Sequence, residues 1–292
     1  MENTIKKLNR CRLCATKNYS LLFTRVGYEV AKCNICGFVF LNFDPDASFF
    51  SNFYSAEFFN DSGTRHAYND YESEAQSMKK TFANRVDALR KYGQGGSLVD
   101  IGCATGAFME RATRFWKTYG IDVSRYAIDL AKKKNLDVVC GDLLTTQFNN
   151  QKFDVVTLWD TIEHVTDPRS TLKRIYEITN TGSVVALTTG DVGSLTARLC
   201  GKFWHLYNIP QHLSFFSKQS ITRILEETGF SVREISYPPL TLTIDYLVFR
   251  LVTFYGLNFA LPLYKFLKKR NLLRYEIKIN LHDIMFVIAT KN

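Results

Sequence analysis

The chain has 292 residues, of which 46% are hydrophobic and 22% charged, a composition that supports a sizeable core and argues against wholesale disorder. This length allows one large α/β domain with a small accessory module, or two ordinary domains. The formal net charge of +9 favours an anionic partner such as nucleic acid, a phosphorylated substrate or an acidic membrane surface.

The first 45 residues contain two close pairs of cysteines. Cys11 and Cys14 form one pair, Cys33 and Cys36 form the other, and 18 residues separate the pairs. In a reducing compartment, four thiolates at this spacing predict one tetrahedral zinc ion, with iron or unpaired structural cysteines as alternatives. All four ligands come from protein, so such a zinc is structural, and we predict a zinc-binding module over 1–45. The remaining cysteines are predicted to be small buried hydrophobic residues, namely Cys103, Cys140 and Cys200.

No apolar run follows Lys6 and Lys7 near the N-terminus, which predicts the absence of a signal peptide and a cytoplasmic location. Residues 46–96 are predicted to form an aromatic-rich lid and a helix. The helical pattern covers 74–92, and Tyr54 and Tyr71 belong to the part predicted to form the lid.

From residue 97 onward, apolar strands alternate with helical patterns, which predicts a parallel sheet covered on both faces. The predicted strands are Leu98–Ile101, Tyr119–Val123, Val138–Cys140, Phe153–Trp159, Ser183–Thr188, Ser231–Ser236 and Ile284–Thr290. The predicted helices run from the first turn to about Trp116 and over Ser124–Lys134, Pro168–Asn180 and Ser220–Thr228. Two stretches interrupt the alternation and are predicted to be insertions, 190–218 and 238–281.

The run Leu-Val-Asp-Ile-Gly-Cys-Ala-Thr-Gly over 98–106 places a glycine turn between the first strand and the next helix. Glycines let the backbone approach a ligand closely, and the helix that follows offers free N–H groups. An ordinary strand–helix turn is the alternative for this feature alone. Asp122 ends the second strand about 20 residues after Gly102, where an acid can accept hydrogen bonds from ribose hydroxyls. Asp142 follows the third strand and could accept a hydrogen bond from an adenine amino group.

Four segments together resemble the class I S-adenosylmethionine-dependent methyltransferases. They are the glycine turn, Gly-Ile-Asp-Val-Ser, Gly-Asp-Leu, and Phe-Asp-Val-Val followed by Glu-His-Val-Thr-Asp-Pro. The resemblance spans about 97–236 and the last strand, and favours the branch of ubiquinone-type O-methyltransferases and bacterial glycan-biosynthesis methyltransferases. It implies a Rossmann-like α/β fold with a seven-stranded, mostly parallel sheet. With the other features, we predict an N-terminal zinc-ribbon-like module and a helical insertion before the last strand of a domain over 97–292.

The resemblance also implies which residues bind the methyl donor. Asp100 and the turn over 102–106 would hold the methionine part, Asp122 the ribose and Asp142 the adenine. The full set expected at the cofactor is Asp100, Gly102, Cys103, Ala104, Gly106, Phe108, Asp122, Val123, Asp142, Leu143, Trp159 and Asp160. Ala104 departs from the family, which most often has glycine there. Alanine adds only a methyl group, so we expect binding to survive.

Glu163 and His164 stand just past the fourth strand, beside the expected position of the methyl group. Methyl transfer to a hydroxyl needs alignment and often a base, and His164 could remove a proton near neutral pH. The alternative is that both residues cap or brace the loop before Pro168. A further alternative is a divalent metal at Asp160, Glu163 and His164, because Asp-x-x-Glu-His resembles the Glu-x-x-Glu-His metal cluster of some O-methyltransferases.

His212 is the third catalytic candidate and lies in the first insertion. Its surroundings resemble the His-Leu-x-x-Phe-Ser segment of the same branch, which implies that His212 lines the acceptor pocket. Trp204, His205 and Tyr207 are close in sequence and could join it. Packing within the insertion explains each of these three residues at least as well.

The second insertion belongs to a basic region, since 239–292 hold eight Lys or Arg and three Asp or Glu, a net charge of 8 − 3 = +5. Its least polar stretch, 251–264, is shorter than the roughly 20 residues that a spanning helix needs. One interpretation of 238–281 is a peripheral contact with the inner surface of an anionic membrane. The other is a helical lid on the sheet or on a dimer mate.

We therefore predict methyl transfer from S-adenosylmethionine to a small-molecule or lipid-linked acceptor, in particular a sugar or glycan hydroxyl. One alternative is an RNA methyltransferase that uses the basic surface and the zinc module. Base-amino methyltransferases carry an Asn/Asp-Pro-Pro-Tyr/Phe loop where this chain has 159–162 as Trp-Asp-Thr-Ile, which argues against that subclass. The second alternative is a cofactor-binding interaction protein without turnover.

Overall fold

The computed structural model describes residues 5–46, 49–53, 78–93, 95–254 and 257–292. The strands are β1 (Tyr19–Arg25), β2 (Tyr28–Cys33), β3 (Val39–Leu41), β4 (Ser97–Ile101), β5 (Lys117–Asp122), β6 (Val138–Cys140), β7 (Phe153–Trp159), β8 (Thr179–Gly190), β9 (Ser214–Phe215), β10 (Phe230–Ser236), β11 (Leu240–Thr243), β12 (Glu276–Ile279) and β13 (Ile284–Lys291). The helices are α1 (Phe49–Phe53), α2 (Lys79–Arg90), α3 (Met109–Ala112), α4 (Arg125–Lys133), α5 (Pro168–Glu177), α6 (Leu195–Cys200), α7 (Lys218–Glu227), α8 (Ile244–Phe254) and α9 (Leu261–Lys269). Short 3-10 turns cover Gly201–Phe203 and Asn258–Ala260.

The central layer is a seven-stranded sheet in the order β10-β13-β8-β7-β4-β5-β6. Strand β13 runs antiparallel to β8 and β10, and the other neighbouring strands pair in parallel. The middle strands are buried on both faces, as expected where helices cover a parallel sheet. The predicted Rossmann-like, seven-stranded and mostly parallel sheet is confirmed. The carboxyl ends of β4, β5 and β7 lie along one edge, which is where ligands bind in such sheets.

Local capping sets the beginnings of the helices that flank this edge. The Ser124 hydroxyl accepts a hydrogen bond from the Ala127 N–H, and Asp167 caps α5 by accepting from the Ser170 N–H.

Two helices are shorter in the structure than the sequence predicted. The helix predicted over 168–180 ends at Glu177, because β8 already begins at Thr179, and only 109–112 are α-helical after the glycine turn.

The N-terminal module is joined to the rest of the fold by a strand pair. Strand β9, from the first insertion, pairs with β3 and completes the four-stranded sheet β1-β2-β3-β9. The rings of Phe38 and Phe216 lie 5.2 Å apart, and both side chains belong to the hydrophobic cluster that continues under the central sheet. The cysteine module and the α/β part therefore share one core, which gives the module a fixed position.

The second insertion is helical, as predicted, with a small sheet at its base. Strands β11 and β12 form an antiparallel pair, and α8 and α9 pack through Phe249, Tyr264 and Leu273. Among the described residues, the chain has no helix that is long and apolar enough to cross a membrane. Tyr54 and Tyr71, predicted to belong to a lid, lie outside the described residues, whereas α2 confirms the helix predicted just before the sheet.

Candidate active site

The glycine turn folds back on the end of β5. The N–H groups of Gly102 and Cys103 donate to the carbonyl oxygen of Ile121 at 2.8 and 3.1 Å. Gly102 has a φ of +73°, and a Cβ there would stand 2.5 Å from the Thr161 hydroxyl oxygen, so position 102 admits only glycine without rearrangement. Ala104 has a φ of +46°, a left-handed conformation that costs an L-residue roughly 1–2 kcal/mol. The conformation explains why the family prefers glycine at position 104.

Asp122 stands beneath this turn, at the end of β5. Its carboxylate oxygens accept hydrogen bonds from the Ala104 N–H at 2.9 Å and the Ser124 N–H at 2.8 Å. Burial raises the pKa of Asp122. Asp142 lies farther along the same edge, is exposed, and accepts from the Leu144 N–H at 2.7 Å. These two carboxylates therefore follow the edge as the sequence predicted, with Leu143 buried beside Asp142.

Asp100 lies deeper than the turn residues and is 2% exposed. The Thr157 hydroxyl donates to it at 2.6 Å, while burial raises its pKa to about 7. Thr105, in the turn above, is fully buried, and its hydroxyl oxygen has no hydrogen-bond partner within the described parts of the chain. Buried polar groups are nearly always paired, so this hydroxyl marks a place where a polar ligand atom fits.

Arg85 on α2 is a site residue that the sequence reasoning missed. Its guanidinium is buried, with Nη2 3.5 Å from the Asp160 carboxylate and Cζ 4.7 Å from the Trp159 ring centre. Nη1 has no partner among the described residues, and burial lowers the pKa of Arg85. An available signal was its place on the buried stripe of the helix, four residues after Thr81 and four before Leu89.

The remaining predicted cofactor residues form the surroundings of this turn. Phe108 and Trp159 meet edge to face at 5.0 Å and belong to the core beneath Arg85. Cys103 is buried, and burial raises its thiol pKa well above the ordinary value, so it is a packing residue rather than a nucleophile. Cys200, predicted to be buried, is exposed, because it ends a surface helix of the first insertion.

The three catalytic candidates come together in the structure. Ligand atoms of Glu163, His164 and His212 all lie within 4.8 Å of one another, and the imidazole ring centres are 4.6 Å apart. Asp160, which the sequence placed in a metal set, is not part of this group. Its carboxylate instead faces Arg85 and accepts from the Thr188 hydroxyl at 2.9 Å. The third member of the group is His212, which comes from the first insertion, where the sequence predicted Asp160.

The backbone orients both imidazoles. His164 Nδ1 lies 3.1 Å from the Gln211 carbonyl oxygen, and His212 Nδ1 lies 2.9 Å from the Leu206 carbonyl oxygen. A ring N–H at Nδ1 that donates to a carbonyl makes Nε2 the acceptor nitrogen. Burial lowers the pKa of His164 to about 4 and, together with the nearby Asp160 charge, raises the pKa of Glu163 to about 8.

The four N-terminal cysteines also form one cluster, with all sulfur atoms within 4.8 Å of one another. Backbone N–H groups point at two of them: Leu13 N lies 3.4 Å from Cys11 Sγ, and Cys36 N lies 3.4 Å from Cys33 Sγ. Each pair is followed by a left-handed residue, Ala15 or Gly37, so the two turns have the same form. Cys14 is also a member of this group, and four thiolates in this arrangement fit one tetrahedral zinc ion.

The aromatic residues before His212 support packing rather than a pocket. Trp204 is buried, and its indole N–H donates to Asp283 at 2.9 Å. Tyr207 is also buried, with its ring 4.8 Å from that of Phe215. His205 is more exposed and lies 3.6 Å from the same aspartate.

A cavity of about 160 Å³ lies beside Arg85 and is lined also by Thr188 and Phe286.

Comparison with known proteins shows the family to which the chain belongs. A model of the methyltransferase domain family matches residues 71–235, more than half of the chain. The chain belongs to the methyltransferase domain family. This assignment confirms the prediction of a class I S-adenosylmethionine-dependent methyltransferase and of an enzyme.

Individual relatives of this methyltransferase are distant. It is 26% identical over 192 residues to the ubiquinone biosynthesis O-methyltransferase of Aeromonas salmonicida, covering 59% of this chain and 81% of the relative. It is 23% identical over 180 residues to the demethylmenaquinone methyltransferase of Staphylococcus saprophyticus, covering 52% and 77%. The solved magnesium protoporphyrin IX methyltransferase from Synechocystis is 14% identical with a TM-score of 0.55, covering 85% of this chain and 100% of that one. That likeness confirms the fold.

Proposed function

We propose that this methyltransferase methylates a hydroxyl oxygen of a small or lipid-linked acceptor, in particular a sugar or glycan. The observation that carries the proposal is the Glu163–His164–His212 cluster just past β7. A hydroxyl is a poor nucleophile until its proton is removed, and this cluster combines the groups that can assist that removal. The names of two relatives, in ubiquinone and menaquinone biosynthesis, support a small acceptor. The sugar or glycan rests on the sequence resemblance.

The cofactor would be held along the edge formed by β4 and β5. Bound S-adenosylmethionine supplies a methyl group on a positively charged sulfur, ready for displacement. The glycine turn gives the close approach that such a ligand needs, since Gly102 has no room for a side chain. Asp122 would accept the ribose hydroxyls and Asp142 the adenine amino group. The unpaired Thr105 hydroxyl offers a further polar contact.

We assign the methionine carboxylate to Arg85. Its Nη1 is buried and lacks a partner among the described residues, and a buried cation is costly unless an anion or acceptor meets it. Asp160 meets only Nη2, at 3.5 Å, which is a long contact. A ligand carboxylate would pair with the remaining N–H groups in the fork geometry that arginine favours.

The Glu163 cluster has the composition of a divalent-metal site. Two imidazoles and a carboxylate form a common ligand set for divalent metals, and each histidine already directs its Nδ1 to a backbone carbonyl, as metal-binding histidines do. Glu163 Oε2 is buried and has no partner within the described residues. The chemistry that a cation would supply there is a lower pKa for an adjacent hydroxyl. Without metal, Glu163 itself, with its pKa near 8, is the candidate proton acceptor.

Turnover tests the proposal. Formation of S-adenosylhomocysteine is measured with nucleotide sugars, lipid-linked sugars and a hydroquinone, with added Mg²⁺ or Mn²⁺ or with a chelator. We expect Glu163→Gln and His212→Ala to lower kcat at least about 100-fold, as loss of a general base or metal ligand does, with cofactor affinity unchanged. Glu177→Gln, an exposed change on α5, is the control. Methylation of RNA or of amino nitrogen, with these acceptors inert, would overturn the proposal.

A further inference from the structure

The helical insertion exposes an apolar stripe that the proposed reaction does not use. Phe259, Leu263 and Phe266 follow one another at helical spacing along α9 and its approach, and each is between 54% and 82% exposed. The opposite side of α9 is already packed, since Tyr264 contacts α8. We call the three exposed residues the α9 stripe. Exposed apolar groups of this size in a row mark a contact surface rather than scattered surface residues.

Positive charge surrounds the α9 stripe. Residues 257–275 contain five Lys or Arg and no Asp or Glu. The Arg270 guanidinium carbon lies 5.5 Å from the Phe266 ring centre, and Arg274 lies 5.8 Å from that of Tyr275. The only carboxylate that meets these cations in the described part of the chain is Asp245, 3.1 Å from Lys268. Lys265, Lys269 and the two arginines therefore lack a carboxylate partner there.

The first insertion has a similar exposed row of apolar residues. Leu195, Leu199 and Phe203, the α6 stripe, recur every four residues and are between 72% and 79% exposed. The Lys202 ammonium lies 5.3 Å from the Phe203 ring centre. The two insertions touch, because the Thr196 hydroxyl donates to the Leu281 carbonyl at 2.7 Å. Two helices from separate insertions thus present apolar rows with cations beside their aromatic rings.

We propose that the α9 stripe, supported by the α6 stripe, docks this methyltransferase on the surface of an anionic lipid bilayer. Apolar side chains that enter the headgroup region, flanked by Lys and Arg that meet lipid phosphates, are the features of an interfacial helix. A second copy of the chain is disfavoured as the occupant, because a two-fold contact would place the same five cations against each other. Docking on a bilayer needs no turnover and does not depend on which acceptor is methylated.

Sedimentation of the full chain with vesicles tests the docking. We expect binding to vesicles of phosphatidylglycerol and phosphatidylcholine, at least tenfold weaker binding to phosphatidylcholine alone, and a marked loss in 0.5 M salt. The triple variant F259S/L263S/F266S should lower the partition coefficient at least tenfold. The variant L21S/V26S/I35S removes three residues of comparable exposure from the N-terminal module and should bind like the wild type.

A charge variant separates the two contributions. K269Q/R270Q/R274Q should lose the preference for anionic vesicles, while L195S/L199S/F203S should weaken binding less than the α9 triple. Thermal unfolding and cofactor affinity should match the wild type in all of these, because the substituted side chains are exposed and none belongs to the glycine turn or the Glu163 cluster. Absence of vesicle binding by the wild type, or equal binding by the α9 triple variant, would overturn the proposal. So would concentration-dependent dimerisation that the α9 variant abolishes.

Discussion

The backbone N–H of Leu213 donates to the carbonyl oxygen of Glu163 at 2.8 Å. The carbonyl of Leu213 in turn accepts from the Leu41 N–H of β3 at 2.9 Å. One residue therefore joins the cysteine module to the loop that carries the proposed chemistry, and it directly follows His212. The four thiols and the Glu163 cluster are separate sites, but the backbone connects their positions.

Loss of the predicted N-terminal zinc should therefore disturb the Glu163 cluster and spare the cofactor site. Cys14→Ser should abolish one equivalent of bound zinc, measured by elemental analysis, and lower Tm by about 5 °C or more. Hydrogen exchange should increase in peptides covering 161–165 and 211–216, and kcat should fall. Affinity for S-adenosylhomocysteine should change less than about threefold, because Asp122 lies on a different part of the edge.

Cys200→Ser is the matched control, since that thiol is exposed and outside the cluster. It should leave zinc content, Tm and exchange unchanged. Complete loss of zinc with normal exchange over 211–216 would show that the strand pair β3–β9 holds without the metal, and would contradict the coupling.

Local patterns explain what the sequence could predict. The strand Phe153–Trp159 and the cap at Ser124 depend on neighbours in the chain, so periodicity and cap residues locate them. The pairing of Phe40 with Ser214 has no local signal, because neither segment carries a mark of its partner. For the same reason the sequence did not indicate the place of Arg85, because its contacts with Trp159 and Asp160 reach residues far along the chain. The assignments of Asp122 and Asp142 to the cofactor stay predictions until binding is measured.

Arg85→Met should weaken binding of the methionine end of the cofactor and leave binding of the adenosine end unchanged. The methionine side chain keeps much of the packed volume but removes the guanidinium, so the folded protein loses a buried cation and should not lose Tm. Binding of S-adenosylhomocysteine, measured by calorimetry, should weaken at least tenfold. Binding of 5′-methylthioadenosine, which lacks the carboxylate, should stay within about twofold.

Arg90→Ala on the same helix is the control and should affect neither ligand, because Arg90 stacks on Phe115 at the far end of α2. Equal weakening of both ligands by Arg85→Met would show that the arginine only supports the fold around Trp159. That result would remove it from the cofactor site.

Gly102→Ala should lower stability more than an alanine at another left-handed glycine. Both Gly102 and Gly182 have positive φ, +73° and +82°, so each pays the conformational cost of roughly 1–2 kcal/mol. At Gly102 the new Cβ also meets the Thr161 side chain at 2.5 Å, whereas nothing lies within 4 Å at Gly182. Thermal unfolding should show a larger loss of Tm for Gly102→Ala, and Thr161→Ala in the same chain should restore part of it. Equal losses at both glycines would contradict the close approach.

Asp100 should make stability fall as the pH rises. Burial raises its pKa from an ordinary value of 3.8 to about 7, so the folded state holds a proton that the unfolded state releases. The stabilisation is complete below pH 4 and is lost as the pH rises through 7, by about 1.4 kcal/mol per pH unit between those values.

Asp100→Asn, which keeps an acceptor for the Thr157 hydroxyl, should therefore flatten the decline in the free energy of unfolding between pH 5 and pH 8. Denaturant unfolding at both pH values measures this, with the exposed change Asp142→Asn as control. A decline in Asp100→Asn as steep as in the wild type would mean that Asp100 is ionised in the folded protein and stabilised there by Arg85.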